Sequence, residues 1–352
     1  MAQSACAPCQ HAAALTMGYG GNLIWTTVFK ALNARTGRAV APVHMPLASD
    51  LAAGALYDRS VSLADDAIYR LNPRLAFPPT RAKNAAARLL DVGFVRALSL
   101  LGLRRAYELW VVRCTSARDD RQGPLLVHID MRVHSYAARQ DRRRTFWKSH
   151  ARAADAMLEH LGGGTADDTC EMYFSAAEEA ATDALLAQAG IDGPFVAFEP
   201  ETNRDFFGDL RAWPRENWEA AMARLAAAHM HLRLVQVGAV TSVPAIAGAV
   251  DLRGKTSFRA ACLVLKRARL FIGTESGLMH AANAVGARAL ILWGGLTLPE
   301  FIGYPQRQRT LCKYVACAPC GNNGWCDNAR ICMTRIGVDE ALAAANEMLE
   351  AA

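Results

Sequence analysis

The densest run of chemically useful groups is Gly273-Thr274-Glu275-Ser276-Gly277, with His280 one helical turn further on. Thr274 and Ser276 carry hydroxyl donors, Gly277 lets backbone approach a ligand, and the helix expected from Leu278 to Gly286 would add a partial positive charge at its start. This set suits a diphosphate, with Ser276 as a plain helix cap as the competing reading. A second dense run is Cys317-x2-Cys320-x5-Cys326-x5-Cys332, with Cys312 just upstream. These thiols have the ligand chemistry for a structural zinc or iron, and free or disulfide-bonded thiols are the equal alternative.

The first run needs a strand before it and a strand after it. Leu270–Ile272 and Ala289–Trp293 are apolar bursts of the kind buried on both faces of a parallel sheet, so the segment is expected to be a βαβ unit. Further strands are expected at Phe195–Phe198, Leu232–Val237 and Ala249–Leu252, with helices at Ser175–Ala189, Pro214–His229, Ser257–Ala268 and Val338–Leu349. In the first half, a strand at Ala12–Met17 leads into the turn Gly18–Asn22, a helix from Leu23 to Arg35, and a strand at Ala39–His44. Its G-x-G-G-N spacing lacks the third glycine of a dinucleotide fingerprint, which argues against a dehydrogenase. Glu108–Cys114 and Leu125–Asp130 are expected as buried strands. Strands alternating with helices in both halves imply an α/β protein of two Rossmann-like domains, with a ligand crevice at the carboxyl ends of the strands.

With 352 residues, 52% hydrophobic and 20% charged, the chain suits two globular domains. The expected division is a flexible tail at 1–10, a domain at 11–174, a second at 175–337 that includes the cysteines of 312–332, and a terminal helix at 338–352. No apolar run approaches a membrane span and no secretion-signal layout is seen, so a cytoplasmic protein is expected. The net charge of +6 is too small to argue for nucleic acid but permits contact with an anionic membrane surface, peripheral to an inner membrane. Arg139–Arg152, rich in Arg and Lys with Phe146 and Trp147, reads as a solvated helix face or as a basic lip for a phosphorylated or membrane-borne acceptor.

Several short pieces resemble glycosyltransferase family 9, the ADP-heptose:lipopolysaccharide heptosyltransferases: Arg211-Ala-Trp213-Pro214 with Trp218, Asp251 to Ser257, Gly273 to Ala282, Cys317-Ala-Pro-Cys320 and Cys332 to Ile336. The first half matches more thinly, through the glycine turn ending Gly21-Asn22 and the helix after it. The resemblance implies a GT-B fold, two Rossmann-like domains facing a central cleft, whose terminal helix commonly packs back across the gap. It implies inverting transfer of a sugar, heptose first, from a nucleotide-diphosphate donor to a bacterial glycan or protein acceptor, with no cofactor required for catalysis. ADP is the favoured nucleotide, with GDP and UDP left open, because the loop after Val237 lacks an acidic residue to clasp a ribose. Carried over by position, Thr202, Asn203, Thr274, Glu275, Ser276, Gly277 and His280 would bind the donor, and Arg211 would neutralise the departing charge.

One departure bears on mechanism. Asn22 stands where the family has an aspartate, generally taken as the base, and an amide cannot take up a proton. Asp130, His128, Asp65, Asp66 and Glu201 are the replacements considered, which makes Asn22, Asp130 and Arg211 the candidate catalytic set. The competing function class is a non-catalytic sugar-nucleotide- or metal-binding relative that has lost its base.

Overall fold

A computed structural model describes residues 18–117, 122–129, 152–159, 161–202, 208–320 and 326–351. Asp130, Asn203, the expected strand Ala12–Met17 and most of the basic stretch at 139–152 lie outside the described residues. Arg152 itself is described: it donates to the carbonyls of Ala166 and Asp167 and pairs with Asp168 at 2.8 Å, a structural engagement.

The first half runs α1 (Tyr19–Thr36), β1 (Val40–Val43), α2 (Ala48–Ala52), α3 (Ala85–Leu100), α4 (Arg104–Ala117), β2 (Leu125–His128) and α5 (Ala153–Glu159). β1 and β2 pair in parallel, Val40 opposite Leu125 through Val43 opposite His128. The expected strand at Glu108–Cys114 is instead the middle of α4. Glu108 and Val111 are buried while Trp110 and Arg113 face out, so the run that looks continuous in sequence is partitioned with helical periodicity. Lys83 sits among Asp50, Asp58 and Asp91 at 2.7, 3.0 and 2.9 Å, fastening the start of α3 to the loops around α2.

The second half runs α6 (Ala176–Gln188), β3 (Phe195–Phe198), α7 (Gly208–Arg211), α8 (Arg215–Ala228), β4 (Arg233–Gln236), β5 (Val250–Asp251), α9 (Phe258–Arg267), β6 (Leu270–Thr274), α10 (Gly277–Ala284), β7 (Ala289–Trp293), α11 (Pro299–Ile302), β8 (Gln308–Cys312), α12 (Ile331–Thr334) and α13 (Val338–Glu350). Its strands form one six-stranded parallel sheet in the order β5-β4-β3-β6-β7-β8. Every residue of β3, β6 and β7 is buried, as their unbroken apolar runs require of strands covered on both faces.

Two apolar layers flank that sheet. On one face, α9 and α10 bring Cys262, Val264, Met279 and Ala282 into a core that continues through Trp25, Val28 and Phe29 of α1 to Met157 of α5. On the other, α8 and α13 pack Trp218, Met222, Leu342 and Ala345 around Trp213, whose indole N–H donates to the Ile336 carbonyl at 2.9 Å. The terminal helix therefore packs against α8 and the six-stranded sheet, where its small apolar stripe of Ala341, Ala344 and Ala345 fits. Arg259 joins distant segments: it donates to both carboxylate oxygens of Glu178 and to the carbonyls of Ala67 and Tyr173, with its guanidinium 4.6 Å from the Phe174 ring centre.

Candidate active site at the strand crossover

In the six-stranded sheet the connections leave β3 toward β4 on one side, and the chain returns to place β6 on the other. The carboxyl ends of β3 and β6 thus flank a topological switch point, where open α/β sheets bind ligands. β3 delivers Glu199 and β6 delivers Glu275 and Ser276 to this crevice. Ser276 Oγ donates to the Glu199 carboxylate across it. The same oxygen accepts from the amides of Leu278 at 3.1 Å and Met279 at 3.4 Å, so Ser276 is the N-cap of α10. Arg211, at the end of α7, donates from Nη1 to the Glu275 carbonyl at 2.6 Å, which holds a guanidinium beside the turn. Thr274 is fully buried in β6.

The first half closes on this turn with another helix start. α1 begins at Tyr19, so Gly20, Gly21 and Asn22 form its first turn instead of a loop before it. The two helix starts approach closely. A methyl group on Gly20 would lie 2.6 Å from His280 Cδ2, and one on Gly277 would meet Tyr19 Cβ at 3.6 Å and the Gly20 nitrogen at 4.0 Å. Tyr19 also stacks on Phe258 with ring centres 4.0 Å apart. The amino ends of α1 and α10 therefore meet, each helix start carrying amides that lack an intrahelical acceptor. Gly18 caps α1 without a side-chain hydrogen bond.

Burial sets the charge states. The carboxyls of Glu199 and Glu275 are each pushed up to about 7 by removal from water, with Ser276 and Arg211 pulling back at the first and Arg211 and Thr297 at the second. His280 is pushed down to about 3 by burial and by nearby Arg211, so it is a neutral imidazole. Its Nδ1 lies 2.7 Å from the Tyr304 hydroxyl, itself 2.9 Å from Cys170 Sγ. Positive charge at the site therefore comes from Arg211 and the helix ends, while His280 can only exchange hydrogen bonds. Asn22 accepts from the Tyr69 hydroxyl at 2.9 Å through its side-chain oxygen. Thr202 is buried close by in sequence to Glu201. Glu201 is held by Arg215 at 3.1 Å and Gln236 at 3.0 Å. Arg253 fixes the loop after β4 by donating to the carbonyls of Val240 and Val243.

The structure thus brings Thr274, Glu275, Ser276, Gly277, His280 and Arg211 together, and sets Asn22 in the helix turn that faces them. Of the other bases considered, His128 lies at the end of β2, 3.1 Å from the Thr115 hydroxyl, and Asp66 accepts from the amides of Ile68 and Tyr69. Glu199, Tyr69 and Tyr304 were not singled out from sequence. A signal existed for Glu199, which is the first residue after an apolar central strand.

A family model for glycosyltransferase family 9 (heptosyltransferase) matches residues 129–325, more than half of the chain. The chain belongs to glycosyltransferase family 9. It is a glycosyltransferase, and the match covers the six-stranded sheet and the switch-point turn just described. Among solved structures, a family 9 glycosyltransferase from Veillonella parvula aligns over 96% of both chains at 14% identity with a TM-score of 0.62. The Escherichia coli ADP-heptose lipopolysaccharide heptosyltransferase II aligns over 96% of this chain and 97% of its own, at 16% identity and a TM-score of 0.50. Both likenesses are to the fold, which is GT-B. No curated protein sequence matches the chain.

The cysteines of this family 9 chain, read from sequence as metal ligands or, equally, as plain thiols, follow β7 at Cys312, Cys317, Cys320, Cys326 and Cys332. Among the described residues, which include Cys317, Cys320, Cys326 and Cys332, no group of three or more His, Cys, Asp or Glu side chains is disposed to hold a metal ion. None of the four forms a disulfide among the described residues, and burial holds Cys332 above the usual thiol range and Cys312 up to about 12, as protonated thiols. Cys320 and Cys332 pack beneath the end of β7. The Cys320 amide donates to the Gly295 carbonyl at 2.7 Å, and a methyl group on Gly295 would lie 3.2 Å from Cys332 Sγ.

Proposed function

We propose that this family 9 enzyme transfers a heptose, with inversion, from a nucleotide-diphosphate donor to a bacterial glycan or protein acceptor. The observation that carries this is the meeting of two helix amino ends beside Arg211 at the switch point. In the reaction, negative charge grows on the departing diphosphate and positive charge on the sugar ring. Amides and a guanidinium already in place stabilise the former without reorganisation. Arg211, Gly277 and the first turns of α1 and α10 take the diphosphate. Ser276, Thr274, Thr202 and Asn203 supply hydroxyl and amide contacts, and neutral His280 lends a hydrogen bond. Glu275 reads sugar hydroxyls. Residues 11–174 carry the acceptor and 175–337 the donor. An ADP-heptose donor is favoured by the name of the Escherichia coli relative, with another nucleotide sugar as the second choice.

An amide cannot act as base, so Asn22, fixed by Tyr69, orients the acceptor hydroxyl, and a carboxylate removes its proton. Asp130 remains the first candidate for that role, since in sequence it stands two residues past the end of β2.

The test is titration calorimetry with ADP, GDP and UDP, then with their sugar conjugates. Arg211→Ala is expected to weaken diphosphate binding by roughly tenfold to a hundredfold, the worth of a charged hydrogen bond. Asn22→Ala is expected to lower turnover while leaving donor affinity within about twofold. A protein that bound no nucleotide diphosphate, or bound it equally well without Arg211, would defeat the assignment.

A further inference from the structure

His280 heads a row of buried polar groups. Its Nδ1 lies 2.7 Å from the Tyr304 hydroxyl, and that hydroxyl lies 2.9 Å from Cys170 Sγ. All three side chains are buried. Cys170 comes from the segment between α5 and α6 and Tyr304 from the turn between α11 and β8, so the row crosses the fold. α10 holds both of its outer members. The Asn283 side chain accepts from the Cys170 amide at 2.8 Å, and the Met279 carbonyl accepts from Gln308 Nε2 at 2.8 Å, just past the Tyr304 turn. That turn is closed by the Tyr304 carbonyl, which accepts from the amides of Arg307 and Gln308 at 2.9 Å each. The phenol ring stands edge-on to the imidazole, at 88° between planes.

Chemistry settles which way the hydrogens in this row point. A neutral imidazole has one nitrogen that donates and one that accepts, and the bond made by one selects the role of the other. Burial keeps both outer partners protonated, with the thiol pushed up to about 12 and the phenol well above the usual tyrosine range. Two arrangements satisfy the Tyr304 hydroxyl. In the first, the Cys170 thiol donates to the phenol oxygen and the phenol hydroxyl donates to Nδ1. In the second, Nδ1–H donates to the phenol, whose own hydrogen turns to the sulfur. Sulfur is a weak acceptor and an imidazole nitrogen a good one. The second arrangement also strands the thiol hydrogen, because the Tyr304 oxygen is its acceptor among the described residues. The first arrangement prevails, and it leaves the ring proton on Nε2.

Nε2 is the nitrogen on the side of α1, where a methyl group on Gly20 would lie 3.0 Å from it. An N–H there adds a donor where the two helix starts meet, whereas a lone pair would oppose an anion. We propose that Tyr304, backed by Cys170, holds His280 in the Nε2–H form and so makes the imidazole a fixed donor toward the departing diphosphate. Tyr304 and Cys170 are positioning residues. Their role at the phosphates rests on the donor reading; the tautomer itself does not.

Nitrogen-15 NMR of the full chain labelled at histidine reads the tautomer directly, with the His280 signal assigned by its absence in His280→Gln. The wild type is expected to show a protonated Nε2 and a bare Nδ1. Tyr304→Phe keeps the ring and removes the hydroxyl. It is expected to move His280 toward the Nδ1–H form and to weaken ADP binding roughly twofold to tenfold by calorimetry, the worth of one hydrogen bond. Cys170→Ala should shift the tautomer in the same direction, and Cys170→Ser, which retains a donor, should restore it. A merely structural role would lower the melting temperature and leave the tautomer unmoved. In the His280→Gln background, Tyr304→Phe should cost no further ADP affinity. A wild-type Nδ1–H signal, or a tautomer unchanged in Tyr304→Phe, overturns the proposal. An Nε2–H signal in a wild type that binds no ADP supports the tautomer and defeats its role at the phosphates, together with the donor reading.

Discussion

The two helix starts that meet at the switch point are built differently. α10 is closed in advance: Ser276 caps it, Glu199 holds Ser276, and the turn before it is buried. α1 begins at Tyr19, its N-cap Gly18 makes no side-chain hydrogen bond, and Gly20 of its first turn lies against His280. One end is capped by the Ser276 side chain, and at the other no side-chain cap is found among the described residues. A site divided in this way keeps half of its anion-binding geometry rigid and leaves the other half to gain from the ligand.

The largest test of that contrast is Gly20→Val. Its Cβ would fall 2.6 Å from His280 Cδ2, and the imidazole is held by Tyr304 in a buried setting. A loss of about 1–3 kcal/mol is expected from overpacking, read as a lowered urea midpoint, together with weakened diphosphate binding. A variant as stable as wild type would mean that the helix ends are not packed as tightly as described.

Glu199→Gln probes the closed end. Glu199 and Glu275 sit near 7 when folded against an ordinary 4.5, so the stability they contribute is complete below 4.5 and is lost as pH rises toward 7. His280 runs the other way, contributing above 6.5 and losing that contribution as pH falls toward 3. Two carboxyls outweigh one imidazole between 4.5 and 6.5, and above that the carboxyls act alone among these three. Urea midpoints should therefore fall between pH 5 and 7, at up to about 1.4 kcal/mol per pH unit for each carboxyl, and fall less steeply in Glu199→Gln. Parallel profiles for the two proteins would remove Glu199 from the account.

The smallest effect sharpens the open end. Gly18 has φ of −61° and space around its Cβ position, so Gly18→Ser can supply the missing cap. It should stabilise the protein by a few tenths of a kcal/mol and cost about a factor of two in diphosphate affinity, because the new hydroxyl competes for the same amides. A gain in affinity would show that α1's amides are not part of the anion site.

Much of the second half was readable from sequence because its strands are buried on both faces and end at glycine- or serine-rich turns. β3, β6, β7, α6, α8 and α9 lie within a residue or two of where apolar runs and caps put them. β8 was not, since Gln308–Cys312 is an edge strand with mixed exposure and no apolar run. In the first half, α4 was misread as a strand because a short apolar run has no period of its own until burial divides it. The site was legible where groups cluster in one turn, as at 274–280. Contacts made across the fold, between Gly20 and His280 or between Glu199 and Ser276, leave no local trace. The spacing of the cysteines left metal ligation and plain thiols as equal readings, because sequence does not say where the chain turns their side chains.

Arg259 carries a mechanical implication. A single guanidinium, buried and fully engaged, pins the backbone at residue 67 and the backbone at residue 173 to a carboxylate on α6. Sliding these three strips of chain past one another would strip a cation of its acceptors in a dry place. If the space between α1 and α10 widens to admit a substrate, the movement has to swing about this pin like a gate on its hinge post, with the smallest travel beside Phe174 and the greatest at the far ends of the helices.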